Sequence, residues 1–417
     1  MTIMIFARPN GEWVDFPGLL MAVSSGGRVS PVDERDLIPL PEGATLAMMT
    51  EHAPIGIDAD TRKAETLEYN PYKRKDEAVY AVAALLPQGF TRTLLPAAVT
   101  EGRELPLLGY TAIGIRDGKL MVAACPTDEH RKWHPKIYNT VDLPNRIEKV
   151  KAEFPQNRIV KQLAKCSLEY GCFTAQNLFY RRYEAGIPVS PLCNANCLGC
   201  ISLSESECCP SPQQRIDFVP RAEEIAELAI AHLGTAKEGI ISFGQGCEGE
   251  PSLQAEIIAE AISLIRKRTD KGTLNINTNG GDTEKIKRLI EAGMDSFRVS
   301  IFSPLDEEYA AYHRPHDFTL ADVRQSLKLI HEAGRLSSLN LLTYPGFTDD
   351  KGRLQSLTEL AAETGVGQIQ FRNLNIDPAR MADFCAGSAP VGIRTMIEII
   401  KEKLPHIAIG NYSRTVK

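Results

Sequence analysis

The chain has 417 residues, 43% hydrophobic and 24% charged, which is the profile of an ordinary globular protein with ample core. Its formal net charge is −6 and it has no basic block, so nucleic acid is not an expected partner. The length allows two domains or more. A short apolar run from Ile3 to Ala7 breaks at once on Arg8-Pro9-Asn10-Gly11, which argues against a signal peptide, and no apolar run is long enough to cross a membrane. Ten cysteines without an export signal point to a reducing cytoplasm and to metal chemistry, not to a disulfide framework.

Residues 1–142 read as a separate, mostly-β accessory domain, punctuated by prolines from Pro9 to Pro135. The clearest unit is Tyr110-Thr-Ala-Ile-Gly-Ile, then Arg116-Asp-Gly118, then Lys119-Leu-Met-Val-Ala-Ala. Asp117-Gly118 suits the positive φ of a tight turn, so a hairpin is expected, with a further strand at Val79 to Leu86. Residues 143–185 read as a helical connector; Cys166 and Cys172 within it fit a buried core better than any metal motif. From 186 to 405 strands and amphipathic helices alternate, and 406–417 reads as a tail. Strands are expected at Ile187–Pro191, Gly239–Gly244, Thr273–Thr278, Phe297–Phe302, Ser338–Thr343 and Ile369–Leu374. Helix signals include Asp282 and Thr319-Leu-Ala-Asp322 as caps, and glycines 293, 334 and 365 as stops. Six strand–helix units give an α/β fold with a parallel sheet, too short for a closed eight-unit barrel.

The first of those strands leads into Cys193-Asn-Ala-Asn-Cys197-Leu-Gly-Cys200, three thiols at spacing C-x3-C-x2-C. Three soft ligands on one loop suit iron or zinc and leave a fourth position open. A closed zinc site would draw on Cys208 or Cys209, giving a non-enzymatic, metal-stabilised scaffold with a partner-binding β domain as the competing reading. The spacing resembles the signature of the radical S-adenosylmethionine (radical SAM) enzymes. Gly249-Glu250-Pro251 resembles that family's Gly-Gly-Glu segment with Glu248 in place of the first glycine, and Thr278-Asn279-Gly280 resembles its strand ending.

The resemblance covers about residues 186–380 and implies a partial (β/α)6 barrel of the radical SAM type. It implies that Cys193, Cys197 and Cys200 hold a 4Fe–4S cluster. Gly249, Glu250, Asn277, Ser300 and Arg314 would hold SAM, and a one-electron donor such as flavodoxin or ferredoxin would reduce the cluster. The 5′-deoxyadenosyl radical so formed would take hydrogen from the substrate. Cys247 lies at the rim of this site, as a candidate hydrogen donor or a buried thiol. One departure concerns the position before the third cysteine, usually aromatic in the family and here Gly199, so another side chain must cover the adenine. Alternation along the strands puts Asn275, Asn277 and Asn279 on one face, Arg298 with Ser300, and Gln370 with Arg372. Two arginines among the neutral residues Asn340, Gln370 and Asn277 point to an anionic substrate.

Overall fold

In the computed structural model, which describes residues 1–73, 76–100, 104–129, 131–203, 206 and 209–416, the β-prone first 126 residues form one antiparallel sheet. The hairpin pairs Tyr110–Arg116 with Lys119–Pro126, and its turn residues Asp117 and Gly118 have φ of 51° and 72°. That is the left-handed pair a two-residue hairpin turn requires. The expected strand near residue 80 is Tyr80–Leu85. The connector supplies three helices, α1 (Leu143–Glu153), α2 (Arg158–Leu168) and α3 (Phe173–Tyr180), with Asn157 capping α2 through its side-chain oxygen.

The second sheet is wholly parallel and runs in sequence order: β1 (Arg182–Gly186), β2 (Lys237–Phe243), β3 (Thr273–Thr278), β4 (Ser296–Ile301), β5 (Leu336–Thr343), β6 (Gln368–Asn373) and β7 (Ala408–Gly410). Helices α4 (Ala222–Thr235), α5 (Ala255–Arg266), α6 (Thr283–Ala292), α7 (Asp306–His313), α8 (Leu320–Glu332), α9 (Lys351–Thr364) and α10 (Ile393–Lys403) return the chain between strands. Their apolar faces share one core with the sheet. Among the described residues β1 and β7 do not pair, so the sheet is an arc with an open seam, a partial barrel. The caps form as expected, Asp282 on α6 and the Thr319–Asp322 box on α8.

Two differences from the sequence reading have physical causes. The first strand lies at Arg182–Gly186, not Ile187–Pro191. Ile187 still donates to the Ser242 carbonyl, but the amides of Val189 and Ser190 donate to the Glu248 carboxylate, which takes them out of the ladder. The segment 406–417 is no free tail, because Ala408–Gly410 adds β7 to the sheet. Beyond it the Val416 amide donates to Thr273 Oγ1 at the start of β3.

The β region docks on the carboxyl ends of β5 and β6. Asn373 accepts from the Arg92 amide (2.9 Å) and donates to the Phe90 carbonyl (3.0 Å). The Arg92 guanidinium is fully buried and donates to the carbonyls of Tyr110, Thr343 and Leu374, 5.2 Å from the Tyr344 ring centroid. Burial pulls its pKa down to about 10.

Candidate active site

The strand ends of the arc open onto a cavity of about 370 Å3. Cys193, Cys197, Cys200, Gly249, Glu250, Asn277 and Ser300 all line it. Arg314 does not; its side chain lines another cavity, and its carbonyl accepts from the Asn196 amide within the cysteine loop.

The cysteine loop is held from several sides. Gly249 donates to the Ser190 carbonyl and Glu250 to the Leu192 carbonyl. A Cβ at Gly249 would sit 2.0 Å from the Leu192 oxygen, so only glycine allows this approach. His313 places Nδ1 3.3 Å from Cys197 Sγ, and burial holds its ring neutral, pulling the pKa down to about 3. Arg215 donates to Cys200 Sγ (3.6 Å) and to Ser202 Oγ (2.9 Å). Burial pushes the Cys193 thiol up to about 11 and raises Cys197 as well. For Cys200 burial also acts upward, but Ser202 and Arg215 outweigh it and the thiol is lowered. The loop thus offers one thiolate-stabilising corner.

Among the described residues, no three His, Cys, Asp or Glu side chains converge tightly enough to hold a single ion. A cubane spreads its irons over separate corners, so three thiols facing a common cavity suit a 4Fe–4S cluster better than one tetrahedral zinc. Cys208 lies outside the described residues, and Cys209 donates its thiol to the Glu104 carbonyl. Cys247 turns away from the cavity and is buried against Cys166.

Two neighbouring acids have different tasks. Glu250 is buried, with its oxygens accepting from Ser252 N (3.0 Å), Thr278 Oγ1 (2.5 Å) and Asn279 N (2.8 Å). It ties the end of β3 to the turn that follows β2. Glu248 accepts four amides, from Val189 (2.8 Å), Ser190 (3.2 Å), Gly244 (2.6 Å) and Gln245 (2.7 Å). Burial pushes its carboxyl upward, while the four amides, two on each oxygen, act the other way and suit the carboxylate.

The asparagine face of β3 points inward. Asn275 donates to Ser242 Oγ and to Asn277 Oδ1, and Asn277 donates to the Gly244 carbonyl. On β4 and β5 Asn340 donates to Ser300 (3.2 Å). Arg298 and Arg372 also point inward. Arg298 reaches Gln370 Oε1 (3.3 Å) and Ser413 Oγ (3.4 Å), and Arg372 donates to the Asn411 carbonyl (2.6 Å). Among the described residues neither forms an ion pair. Burial lowers both, Arg372 to about 10, and Glu184 on β1 acts the other way on each.

Sequence reasoning missed Glu184, Arg215, His313 and Tyr312. Glu184 lies in a strand within the stretch whose sequence reads as connector, and the other three meet the site only in space. A Cβ at Gly199 would lie 2.6 Å from the Tyr312 hydroxyl, so Tyr312 takes the space that a larger side chain before the third cysteine would need. Tyr312 lines the cavity and stacks on Phe302 at 4.1 Å between centroids.

Among the described residues no helix is long and apolar enough to cross a membrane. No curated protein matches the chain. Similar solved structures include SuiB of Streptococcus suis bound to precursor peptide SuiA, at 11% identity and TM-score 0.37, covering 60% of this chain and 51% of that one. A radical SAM methyltransferase from Sphaerobacter thermophilus is 16% identical over 55% of this chain and 65% of that one, at TM-score 0.37. The FeFe-hydrogenase maturase HydG from Carboxydothermus hydrogenoformans is 15% identical over 64% of this chain and 67% of that one, at TM-score 0.37. The chain therefore spans about half the length of SuiB. The family model of the radical SAM superfamily matches residues 187–354, the stretch that holds the cysteine loop and the strand ends described above. By that match residues 187–354 form a radical SAM domain; enzymes of that superfamily use a 4Fe–4S cluster and S-adenosylmethionine and need an electron donor.

Proposed function

We propose that this chain is a radical SAM enzyme acting on an anionic substrate, with its 4Fe–4S cluster on Cys193, Cys197 and Cys200. The observation that carries the reading is that all three thiols share one cavity with the polar ends of β2, β3 and β4. When bound, the cluster and SAM supply a 5′-deoxyadenosyl radical that takes hydrogen from the substrate. The chain's residues bind, orient and exclude water.

The carbonyls beside Gly249, which the close approach of Leu192 holds in place, present acceptors for the SAM ammonium. Glu250 acts as a positioning residue, since its oxygens already accept from Ser252, Thr278 and Asn279. Asn277 and Ser300 face the sugar and carboxylate of SAM, and Tyr312 covers the adenine in place of the aromatic that Gly199 lacks. Arg314 serves through its carbonyl, fixing Asn196 in the loop. Arg298 and Arg372, half-buried and among the described residues without a carboxylate bonded to either, hold the anionic groups. A one-electron donor such as flavodoxin or ferredoxin completes the system, in the cytoplasm.

The test is anaerobic reconstitution. The wild-type chain should be brown, hold about four irons per cluster, and yield 5′-deoxyadenosine from SAM and reductant. Alanine at any of the three cysteines should remove the chromophore and the cleavage; a triple variant that keeps its iron overturns the assignment. Glu250→Gln should keep its iron and bind SAM about tenfold more weakly, an affinity change of about 1.4 kcal/mol, the order of one lost hydrogen bond. Incubation with deuterated host extract, followed by mass spectrometry of 5′-deoxyadenosine, would report the substrate.

A further inference from the structure

The seam between β1 and β7 is not solid. A second cavity of about 340 Å3 lies there, within the size range of small-molecule sites. It shares Arg298, Arg372, Gln245, Gly246 and Ile201 with the cluster cavity, so the two are adjoining rooms with the arginines in the wall between them.

The seam chamber has polar groups of both signs. Glu184, on β1, lines it, with Oε1 accepting from Ser242 (2.6 Å) and Ser413 (3.4 Å). Three atoms on residues lining the chamber are buried and have no partner among the described residues: the donor Arg298 Nε and the acceptors Gln88 Oε1 and Gln213 Oε1. A buried polar atom left unmatched costs on the order of 1–3 kcal/mol, so three on one chamber mark a place built for a polar guest. One further wall is aromatic and rigid. Trp133 and Tyr412 lie 6.1 Å apart between centroids, and Phe173 stacks on Tyr138 at 3.8 Å.

We propose that the seam chamber binds the head group of a free α-amino acid with an aromatic side chain. This rests on the reading of the cluster cavity as the radical site. The carboxylate takes the guanidinium donors of Arg298 and Arg372, whose planar forks suit it. An ammonium has three N–H donors and no acceptor. Glu184 and the two orphaned glutamine oxygens supply three acceptors. A simple anion would satisfy the arginines and leave those oxygens unmatched. The aromatic wall takes the ring. The two arginines and Glu184 leave one net positive charge on the chamber, which favours a ligand whose carboxylate is fully ionised.

The test uses the reconstituted full chain and isothermal titration calorimetry. The probes are L-phenylalanine, L-tyrosine and L-tryptophan, each also as its α-amide, its N-acetyl derivative and its des-amino acid. At least one free amino acid should bind, and all three modifications should cost it tenfold or more. In Arg372→Gln the preference for the amino acid over its amide should shrink severalfold; in Glu184→Gln the preference for the amino acid over its des-amino analogue should shrink likewise. Equal binding of the amide, N-acetyl or des-amino form to the wild type overturns the proposal without any variant. So does failure of all three amino acids in a preparation that cleaves SAM, which leaves the radical SAM reading intact. Amino-acid binding in a chain that holds no cluster would instead sink that reading and keep the chamber.

Discussion

Arg215 sits where one side chain can set a property of the whole centre. Its guanidinium donates to Cys200 Sγ and to Ser202 Oγ. Positive charge and an N–H on a ligand sulfur stabilise the reduced, more negative state of an iron–sulfur cluster. Arg215→Met should therefore keep the cluster but shift its midpoint potential downward, read by EPR-monitored titration; an unchanged potential contradicts the contact. His232 gives the second residue-scale expectation. Its Nε2 lies 2.8 Å from the Tyr183 carbonyl, while Nδ1 is buried with no acceptor, so the neutral ring fits and the protonated one does not. Burial pulls its pKa down to about 4 from the ordinary 6.5. The unfolded chain takes up a proton below 6.5 that the folded chain refuses until about 4. Stability is then full above pH 6.5 and falls as pH drops toward 4, by about 3 kcal/mol. Denaturant midpoints measured across that window should drop, and His232→Gln should flatten the drop.

At the scale of elements, the parallel sheet was legible where residues follow the ordinary grammar. Helix caps at Asp282 and Thr319 and the stop at Gly293 fall where their chemistry places them. The strand Thr273–Thr278 runs over the residues expected of it, and its asparagine face points inward as alternation requires. What escaped has a common cause. The strand Arg182–Gly186 carries inward polar residues such as Glu184, so it lacks the apolar run that marks a buried parallel strand. Ala408–Gly410 is three residues long, too short for any period. The antiparallel region yielded its hairpin, because Asp117-Gly118 has a local reason to turn, and little else. Most of its strands are set by pairing partners far away in sequence, such as Leu19 with Asp58. At the site, the cysteine spacing was readable because a loop ligand set is local. Tyr312, His313 and Arg215 were not, since they reach the loop from other elements.

For the molecule as a whole, the junction of the two sheets matters most. Arg92 crosses from the antiparallel region and donates to Thr343 and Leu374, at or just beyond the ends of β5 and β6. Leu374 and its neighbours Asn373 and Asn375 line the cluster cavity. The β region thus sets the height of one cavity wall, although among its described residues none lines that cavity. Arg92→Met removes the cation and leaves the carbonyls of Tyr110, Thr343 and Leu374 short of a donor in a dry junction. The loss should be on the order of 3 kcal/mol. Hydrogen exchange should then show residues 1–126 opening separately from the parallel sheet, and SAM affinity should fall with the displaced wall. Exchange that stays uniform would mean that the junction holds without Arg92.

Glu248 draws amides from the segment after β1 and from the turn after β2 onto one carboxylate. Where the family resemblance has a glycine, this chain has a weld. A loop that must be ordered by its ligand charges the entropy of ordering against affinity, whereas a loop already fixed does not. The walls that flank the cysteine loop are therefore rigid before any ligand arrives, and SAM should bind in a single fast phase with little entropic penalty. Glu248→Gln turns one acceptor into a donor facing other donors, and it should add a slow second phase as the freed segments find their places. The same residue that departs from the motif makes the pocket a mould rather than a glove.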